Sequence, residues 1–535
     1  MLASVECLPQ DGAADRSIQR RTLLVGFVAT FGVTGDTAGF GATTGILDEK
    51  LRMSSFESTF VVSAYALAAA ATLIVGGSLS DRFGHRRLIG VGAIVAFVGL
   101  LAAATAPNGW TMAISRAMAG AGGALITVST LAAIADVFAK PERTRAYSYL
   151  TVAATLAYVV APLAAGYLIE QPAWRLTPLF AVPMCVVVLA LLRLMPEPRA
   201  NLVKGEVREL DWPGFVLSIL TTLFVFATAS IVTRSGLGFL GLSALVVSGG
   251  LLVLFVGWEL RVVRAGARQP VLDVRLFRNR SFGAVVSASA LGSFGAGAAF
   301  FLVGYLGQFV LEMSAVGTQF VLLPASLAGI VAALICPYVE RRFGMAHTIA
   351  MGFAIACVAY IAIATIPGSN LWTAFAAIAV LSFAGSFNRP SINSATVASV
   401  KLGEEAVALG AAATVTRLAS TISLAIVTGV FASRYAEGLH VALKLDNLDQ
   451  KAHAIEHQSL AAIVEVERSL GGHGTAQNAV FEQAVTQAFL SALRVAMGIG
   501  AVAALAAAVI AWRMIGPGQP ADSEELISKI GEADS

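Results

Sequence analysis

The stretch GGSLSDRFGHRRLIG, residues 76–90, places a cluster of charged side chains between two apolar runs. FVVSAYALAAAATLIV precedes it and VGAIVAFVGLLAAATA follows it. Apolar runs of roughly 20 residues are long enough to cross the ~30 Å hydrocarbon core of a bilayer as helices. The stretch therefore predicts a short polar loop between two membrane spans. Its acid and arginines are Asp81, Arg82, Arg86 and Arg87.

The rest of the chain has the composition of a membrane protein. Of its 535 residues, 57% are hydrophobic and 13% are charged, whereas about a quarter of the residues of an ordinary globular domain are charged. We therefore expect an all-α polytopic membrane protein. The four cysteines do not indicate a disulfide framework, because Cys7 lies in the N-terminal tail and the others fall inside apolar runs (Cys185, Cys336 and Cys357).

Apolar runs separated by polar breaks predict about fourteen transmembrane helices. The first run is too long for the apolar region of a signal peptide, so we expect it to remain as a span. An even number of spans places both tails on the same side of the membrane. The predicted spans are 22–44, 56–78, 88–106, 111–135, 146–169, 176–196, 214–233, 238–258, 284–308, 315–337, 346–366, 371–394, 407–431 and 488–512.

Lysine and arginine residues concentrate in alternate loops, and this asymmetry predicts the orientation of the chain. Cytoplasmic loops carry an excess of positive residues. The loops APNG (106–109) and PGSN (367–370) carry none, so we expect them outside and both tails inside. The positive residues on the predicted cytoplasmic side include Arg16, Arg20, Arg21, Arg82, Arg86, Arg87, Lys140, Arg143, Arg145, Arg261, Arg264, Arg268, Arg275, Arg278 and Arg280.

A short repeat organises the chain. Arg82-Phe83-Gly84, after the second predicted span, recurs as Arg342-Phe343-Gly344 after the tenth. A six-plus-six duplication with two inserted spans accounts for this spacing, and parallel repeats of this kind mark one transporter architecture. The predicted parts are a cytoplasmic N-terminal tail (1–21), an N-terminal six-helix bundle (22–196), a cytoplasmic linker (197–213), two additional spans (214–258), a basic cytoplasmic linker (259–283), a C-terminal six-helix bundle (284–512) with an extracytoplasmic loop (434–486), and a cytoplasmic C-terminal tail (513–535).

Residues 77–87 resemble the signature G-x-L-x-D-R-x-G-R-R of the major facilitator superfamily, in the same loop between spans 2 and 3; His85 replaces a usual basic residue. Other stretches resemble the fourteen-span drug:proton antiporter branch: RAMAGAGGA (116–124), ADVFAKPERTRA (135–146), LDWPG (210–214) and DVRLFRNRSF (273–282). The resemblance implies two six-helix bundles plus two extra central spans, and transport by alternating access.

Two stretches depart from the patterns of that branch. The span 5 motif G-x8-G-x3-G-P-x2-G-G is reduced here to small residues, chiefly Ala161, Pro162 and Gly166. Small residues suffice for close helix packing. The span 1 motif L-D-x-T-x-x-N-V-A-L-P reads GDTAGFGATTG (35–45), so only Asp36 and its general position carry over.

Asp36 and Arg116 are the candidate proton-coupling residues. A charge inside a bilayer costs several kcal/mol, so such residues are functional candidates. Asp36 lies ~12 Å from the outer end of span 1 and Arg116 ~8 Å from that of span 4. In the fold that the resemblance implies, spans 1 and 4 line one cavity, so the two residues can meet. One hypothesis is that Asp36 binds and releases the coupling proton while Arg116 stabilises its charged form. The alternative is a static ion pair that holds the spans together.

Arg417 lies ~15 Å inside span 13, with no acidic neighbour at its depth in the sequence. Two interpretations stay open. Arg417 faces a cavity that favours anionic or zwitterionic substrates, or it links to backbone carbonyls. Further candidates for the substrate cavity are Tyr65, Gln308, Asn388, Arg389 and Asn393.

The charged loop at 76–90 predicts a gate motif. Gly77 and Gly84 allow close approach and a tight turn, while Arg82, Arg86 and Arg87 anchor the loop in the cytoplasm. The segment VKLGEEAVALG (400–410) brings the N-terminus of span 13 to the same side, where a carboxylate is favoured. The resemblance implies that Asp81 latches the cytoplasmic gate shut in this way.

These observations predict proton-coupled efflux of amphiphilic small molecules or drugs across the inner membrane of a bacterium. The alternative is an exporter or importer of a specific anionic metabolite. We expect a monomer with no cofactor and no nucleic-acid partner. No phosphate-binding loop is present, so ATP-driven transport within this chain lacks support, and no nucleophile elbow appears. An embedded enzyme or a sensor lacks support, since the nearest catalytic pattern is His453-x-x-Glu456-His457 in the 434–486 loop. Docking of a periplasmic adaptor protein to that loop stays open.

Overall fold

The structure is a computed structural model. It describes residues 12–41, 47, 50–51, 53, 55–170, 174–195, 209–235, 239–265, 268–272, 274–305, 317, 321, 323–366, 372–401, 403–445 and 476–515. The described residues are almost entirely helical, which confirms the predicted fold class.

Eight α-helices lie within the described residues of the first half of the chain. Helix α6 is flanked by the 3-10 segments Trp174–Ala181 and Leu192–Leu194, and Glu209–Leu210 is a two-residue strand. The helices are α1 (Gly12–Gly41), α2 (Ser55–Phe83), α3 (His85–Ala104), α4 (Gly109–Val137), α5 (Lys140–Glu170), α6 (Val182–Leu191), α7 (Trp212–Ser235) and α8 (Phe239–Ala265).

The second half begins with a two-residue strand, Arg268–Gln269, and a 3-10 segment, Val274–Arg278. The predicted ninth span is divided between α9 and α10, with Gly295 at a φ of +92° in the break. The helices are α9 (Arg280–Gly292), α10 (Ala296–Tyr305), α11 (Leu323–Phe343), α12 (Met345–Ala364), α13 (Thr373–Ala398), α14 (Glu405–Leu445) and α15 (Ala476–Met514).

Each predicted span falls on a helical segment. Among the described residues, 10 helices are long and apolar enough to cross a membrane. Shorter apolar helices cover Val182–Leu194 and Trp212–Val225. The chain is therefore a multi-pass membrane protein, and the total of fourteen spans stays a prediction.

The chain divides into two compact units. The first consists of Met1–Leu210 together with Leu402–Gly410, and the second of Asp211–Lys401 together with Ala411–Ser535. The start of α14 thus belongs to the first unit, and α7 and α8 belong to the second. The finer division into tails, bundles and linkers stays a prediction.

Close backbone contacts hold the first unit together. A methyl group added at Gly92 of α3 would lie 2.7 Å from the carbonyl oxygen of Gly122 in α4, and one at Gly99 would lie 2.7 Å from the amide nitrogen of Ala119. Helices in a bilayer associate through such small residues, because lipid removes the hydrophobic drive between them.

The reduced span 5 motif packs in the same way. A methyl group at Gly39 of α1 would meet the β-carbons of Ala161 and Ala165 at 3.6 Å. Both alanines are fully buried in α5, which continues through Pro162. Alanine therefore replaces the glycines of the motif without separating α1 from α5.

The repeated Arg-Phe-Gly has the same geometry in both copies. Gly84 (φ 90°) and Gly344 (φ 82°) each form the single-residue turn that ends one helix and begins the next. Their amides donate to the carbonyls of Ser80 and Glu340 at 3.0 and 2.8 Å. A positive φ with an extended ψ is essentially restricted to glycine, so the tight turn requires this residue.

We expect Gly84→Ala and Gly344→Ala each to destabilise the protein by about 1–3 kcal/mol, because alanine strains this backbone conformation. The measurement is the unfolding of the purified protein in detergent. Gly249→Ala is the matched control, because Gly249 lies in α8 with nothing within 4 Å of an added methyl group. Equal effects at the three positions would contradict the prediction.

Candidate functional site

The structure brings Asp36 and Arg116 together in the first unit. Nη1 of Arg116 donates to Oδ1 of Asp36 at 2.6 Å, and the two side chains are 2% and 9% exposed. The two residues lie on α1 and α4 and are 80 positions apart in the sequence. Breaking a pair this deeply buried leaves an uncompensated charge, which is strongly destabilising.

Two aromatic rings complete the surroundings of Arg116. Its guanidinium carbon lies 4.0 Å from the ring centroid of Phe40 in α1 and 4.7 Å from that of Tyr65 in α2. Both rings are buried. Among the described residues, Nε of Arg116 has no hydrogen-bond partner, so the guanidinium depends on one carboxylate and two ring faces.

A small cavity adjoins the carboxylate. Its volume is about 20 Å³, and Gly32, Asp36, Tyr65, Gly123 and Cys185 are among the residues that line it. This is enough for about one water molecule, whereas ligand pockets usually measure ~300–1,000 Å³. In this conformation the cavity has room for a water molecule beside Asp36 but not for a drug-sized substrate.

Asp81 lies at the N-terminus of α14, within the first unit. Its Oδ1 accepts a hydrogen bond from the amide of Ala406 at 3.2 Å, and its Oδ2 accepts one from Val407 at 3.0 Å. These amides belong to the first turn of the helix, which lacks internal acceptors. The carboxylate of α2 therefore caps α14 and also meets the positive end of its dipole.

Glycine makes this contact between α2 and α14 close. A methyl group at Gly77 would lie 2.5 Å from the carbonyl oxygen of Ala406 and 2.9 Å from the α-carbon of Val407. A methyl group at Gly410 would collide with the carbonyl oxygen of Leu73. Any larger residue at Gly77 would lift Asp81 away from the amides that it caps.

The three arginines of the motif have different surroundings. Arg82 lies over the ring of Phe83 at 5.5 Å, as Arg342 lies over Phe343 at 5.7 Å. Nη1 of Arg86 donates to the carbonyl of Met195 at 3.1 Å. Arg87 is exposed, which suits a topology anchor.

His85 takes part in a hydrogen-bonded chain between α2, α3 and α4. Its Nε2 lies 2.9 Å from Oδ2 of Asp136, and its Nδ1 lies 2.8 Å from Oγ of Ser80. The Ser80 hydroxyl donates onward to Oγ of Ser129 at 2.8 Å, so it accepts from Nδ1. Both ring nitrogens then donate, which describes the imidazolium cation.

The second copy of the motif makes a different contact. Ser391 of α13, which is fully buried, donates to Oε2 of Glu340 in α11, and its hydroxyl also lies 3.2 Å from Sγ of Cys336. Glu340 thus fastens α11 to α13, in the way that Ser80 joins α2 to α4. The acid of the second copy therefore makes this contact within its own unit.

The other candidates for the substrate cavity differ in how deeply they are buried. Asn388 is buried, and its amide, suitably oriented, donates to the carbonyl of Ile349 and accepts from the amide of Phe353, both at 3.2 Å. Arg389 is exposed, whereas Asn393 and Arg417 are half-buried. Gln308 and the His453-x-x-Glu456-His457 pattern lie outside the described residues. Within the described residues, no group of three or more His, Cys, Asp or Glu side chains forms a metal site.

Sequence reasoning missed several polar and aromatic contacts. Phe40 follows Asp36 by one helical turn, which places both on the same face of α1. This spacing could have predicted that Phe40 lies near Arg116. In the second unit, Nε1 of Trp258 donates to both carboxylate oxygens of the buried Asp211 at 2.9–3.0 Å. This contact explains why the stretch LDWPG needs its acid at the start of α7.

Comparisons with known proteins identify the family of this chain. The model of the Major Facilitator Superfamily matches residues 23–424. The multidrug efflux pump LfrA of Mycolicibacterium smegmatis is 28% identical over 404 residues, which cover 74% of this chain and 77% of LfrA. The cephamycin export protein CmcT of Amycolatopsis lactamdurans is 29% identical over 365 residues, 67% of this chain and 74% of CmcT.

A solved structure shares the fold. The proton:xylose symporter XylE aligns with a TM-score of 0.60 and 14% identity, over 96% of this chain and 99% of its own. The chain belongs to the major facilitator superfamily. It is therefore a multi-pass membrane transporter of small molecules, as the gate motif predicted.

We expect Asp81→Asn to impair transport while the protein still inserts, because the amide loses the charge that favours the helix N-terminus by about 0.3–1 kcal/mol and up to ~2 when partly buried. Transport in vesicles and the amount of inserted protein are the two measurements. Glu142→Gln is the control, because Glu142 is an exposed acid of α5 whose carboxylate accepts a hydrogen bond from Nε2 of Gln19. Unchanged transport by Asp81→Asn would contradict the latch.

We expect His85→Gln to lower the melting temperature in detergent more than His85→Arg does. A neutral amide can donate to the Asp136 carboxylate but brings no positive charge, so the contact loses the attraction between opposite charges. Arginine restores the basic residue that is usual at this position. A larger loss for His85→Arg than for His85→Gln would show that the ring shape, and not its charge, is what this contact needs.

Proposed function

We propose that this chain is a proton-coupled exporter of amphiphilic small molecules that works by alternating access in the cytoplasmic membrane of a bacterium. The observation that carries the proposal is the buried pair of Asp36 and Arg116. It joins a titratable acid to a fixed cation beside a cavity with room for a water molecule. A proton that arrives at Asp36 removes the ionic attraction between its carboxylate and Arg116. The pair is thus suited to link protonation to helix movement.

The direction and the substrate class are inferred from the relatives. LfrA is a multidrug efflux pump and CmcT exports a cephamycin. Both descriptions name export, and both substrates are organic small molecules. We extend export of amphiphilic compounds to this chain on that basis. The chain resembles both relatives over more than two thirds of its length.

The orientation in the membrane follows from charge. Positive residues lie beside the turns at Gly84 and Gly344 and are frequent in the 259–283 linker. This charge favours a cytoplasmic position for the two turns and for the linker. We place both termini on the same side. We further propose a monomer that needs no cofactor besides the proton gradient, with the 434–486 loop as the candidate docking segment for a periplasmic adaptor protein.

The decisive experiment replaces the acid. In inverted vesicles energised with a proton gradient, we expect Asp36→Asn to lower gradient-driven uptake of an amphiphilic dye by about tenfold or more, because the asparagine cannot release a proton. Dye fluorescence and a pH indicator are followed together. Substrate-induced proton release from the vesicles should disappear with the uptake.

Glu437→Gln is the matched control, because Glu437 is an acid in an exposed pair with Arg434. Full gradient-driven transport by Asp36→Asn would end the proposal of proton coupling through this residue. Competition by a panel of anionic and cationic compounds tests the substrate class. Inhibition by anions alone would replace the proposed exporter of amphiphilic drugs with a transporter of a specific anionic metabolite.

A further inference from the structure

Protonation of Asp36 creates an electrostatic problem that the ion pair alone does not solve. A guanidinium keeps its charge at any physiological pH. When Asp36 becomes neutral, Arg116 is left as a cation that is only 2% exposed. An unpaired buried charge is strongly unfavourable, so the protonated state needs another source of negative potential near Arg116.

The structure offers that source on two helices. The guanidinium carbon lies 4.0 Å from the ring centroid of Phe40 and 4.7 Å from that of Tyr65, within the ~6 Å range of cation–π attraction. The face of an aromatic ring carries negative potential that no proton can remove. The two rings therefore still attract Arg116 after Asp36 has been protonated, when the carboxylate no longer does.

We propose that Phe40 and Tyr65 are positioning residues that keep Arg116 in place while Asp36 carries the coupling proton. We call these two rings and the guanidinium between them the clamp. This inference rests on the proposed role of Asp36. Phe40 and Asp36 lie four positions apart on α1. The same face of this helix therefore presents to Arg116 both a carboxylate, which can take up a proton, and a ring face, which cannot. The attraction of the rings matters most when the carboxylate is neutral, because the cation is then otherwise uncompensated.

The packing around Tyr65 fixes the position of its ring. A methyl group at Gly120 of α4 would collide with the carbonyl oxygen of Tyr65, and one at Gly123 would lie 2.7 Å from its Oη. Glycine at these two positions lets α2 approach α4 closely enough for the ring to reach the guanidinium. The glycine-rich stretch 116–124 thus has a second purpose besides helix packing.

A double-mutant cycle on the purified protein in detergent tests the proposal without any transport measurement. Asp36→Asn imitates the protonated carboxyl, and Phe40→Leu removes the ring face while keeping an apolar side chain. We expect Phe40→Leu to lower the melting temperature roughly twice as far in the Asp36→Asn background as in the wild type, because contacting residues show non-additive effects. Equal losses in the two backgrounds would overturn the proposal.

Matched variants separate the cation–π contact from general packing. Phe40→Tyr keeps the ring face and should behave as the wild type in both backgrounds. Phe60→Leu removes an aromatic ring that pairs with Trp110 at 5.5 Å, and its effect should be the same with Asp36 or Asn at position 36. In an Arg116→Gln background, which has no cation, the excess effect of Phe40→Leu should vanish. Persistence of the excess there would also overturn the proposal.

If Asp36→Asn with Phe40→Leu fails to fold, the addition of Arg116→Gln decides the matter. Recovery of the folded protein supports the clamp, because removal of the cation removes the need for it. Failure to recover shows that packing alone explains the loss, and refutes the clamp.

The pH profile of transport gives a second readout. Loss of the ring disfavours the protonated state of the pair, so Phe40→Leu should shift the half-maximal transport rate to lower pH, whereas Phe40→Tyr should leave it in place. An unshifted profile for Phe40→Leu contradicts the clamp. If Asp36→Asn retains gradient-driven transport, the proposed function fails, and the stability cycle still tests the clamp by itself.

Discussion

A bilayer offers the polypeptide backbone no hydrogen-bond partners, and this constraint accounts for most of the architecture. Each N–H and C=O group in the hydrocarbon must be satisfied within the protein, so the spans are helical and the breaks in them need local partners. Gly84 and Gly344 meet this need with bonds to the preceding turn. At the break before α10, the amide of Gly295 donates to Oγ of Ser423 at 2.6 Å.

The same constraint explains which parts of the structure were predictable from the sequence. Apolar runs near 20 residues long marked each span, because length and composition alone decide whether a helix crosses a membrane. Asp36 and Arg116 were predictable as partners, because a charge inside the bilayer needs an opposite charge at a similar depth and the sequence offers few others. By contrast, Phe40, Ser80 and Asn388 resemble ordinary span residues in the sequence. Their contacts depend on the rotation of each helix about its axis, which composition does not report.

The two copies of Arg-Phe-Gly show how a duplicated element acquires separate purposes. The turn glycines and the arginine–phenylalanine contacts are nearly identical in both. The acids differ, because Asp81 caps α14 from the first copy whereas Glu340 binds Ser391 of α13 from the second. The acid of the first copy thus contacts a residue 325 positions later in the sequence, and the acid of the second copy contacts one 51 positions later. Local geometry has been kept while the long-range contact is made by one copy.

The glycines between α2 and α14 have a consequence for how easily the two segments separate. At Gly77 and Gly410, backbone atoms of the facing segment lie directly against the glycine. The two hydrogen bonds to Asp81 hold the segments together at the start of α14, and hydrogen bonds weaken steeply as their geometry departs from the ideal. The contact between α2 and the start of α14 is therefore stable while these short-range hydrogen bonds are formed, and it weakens sharply once the two segments move apart.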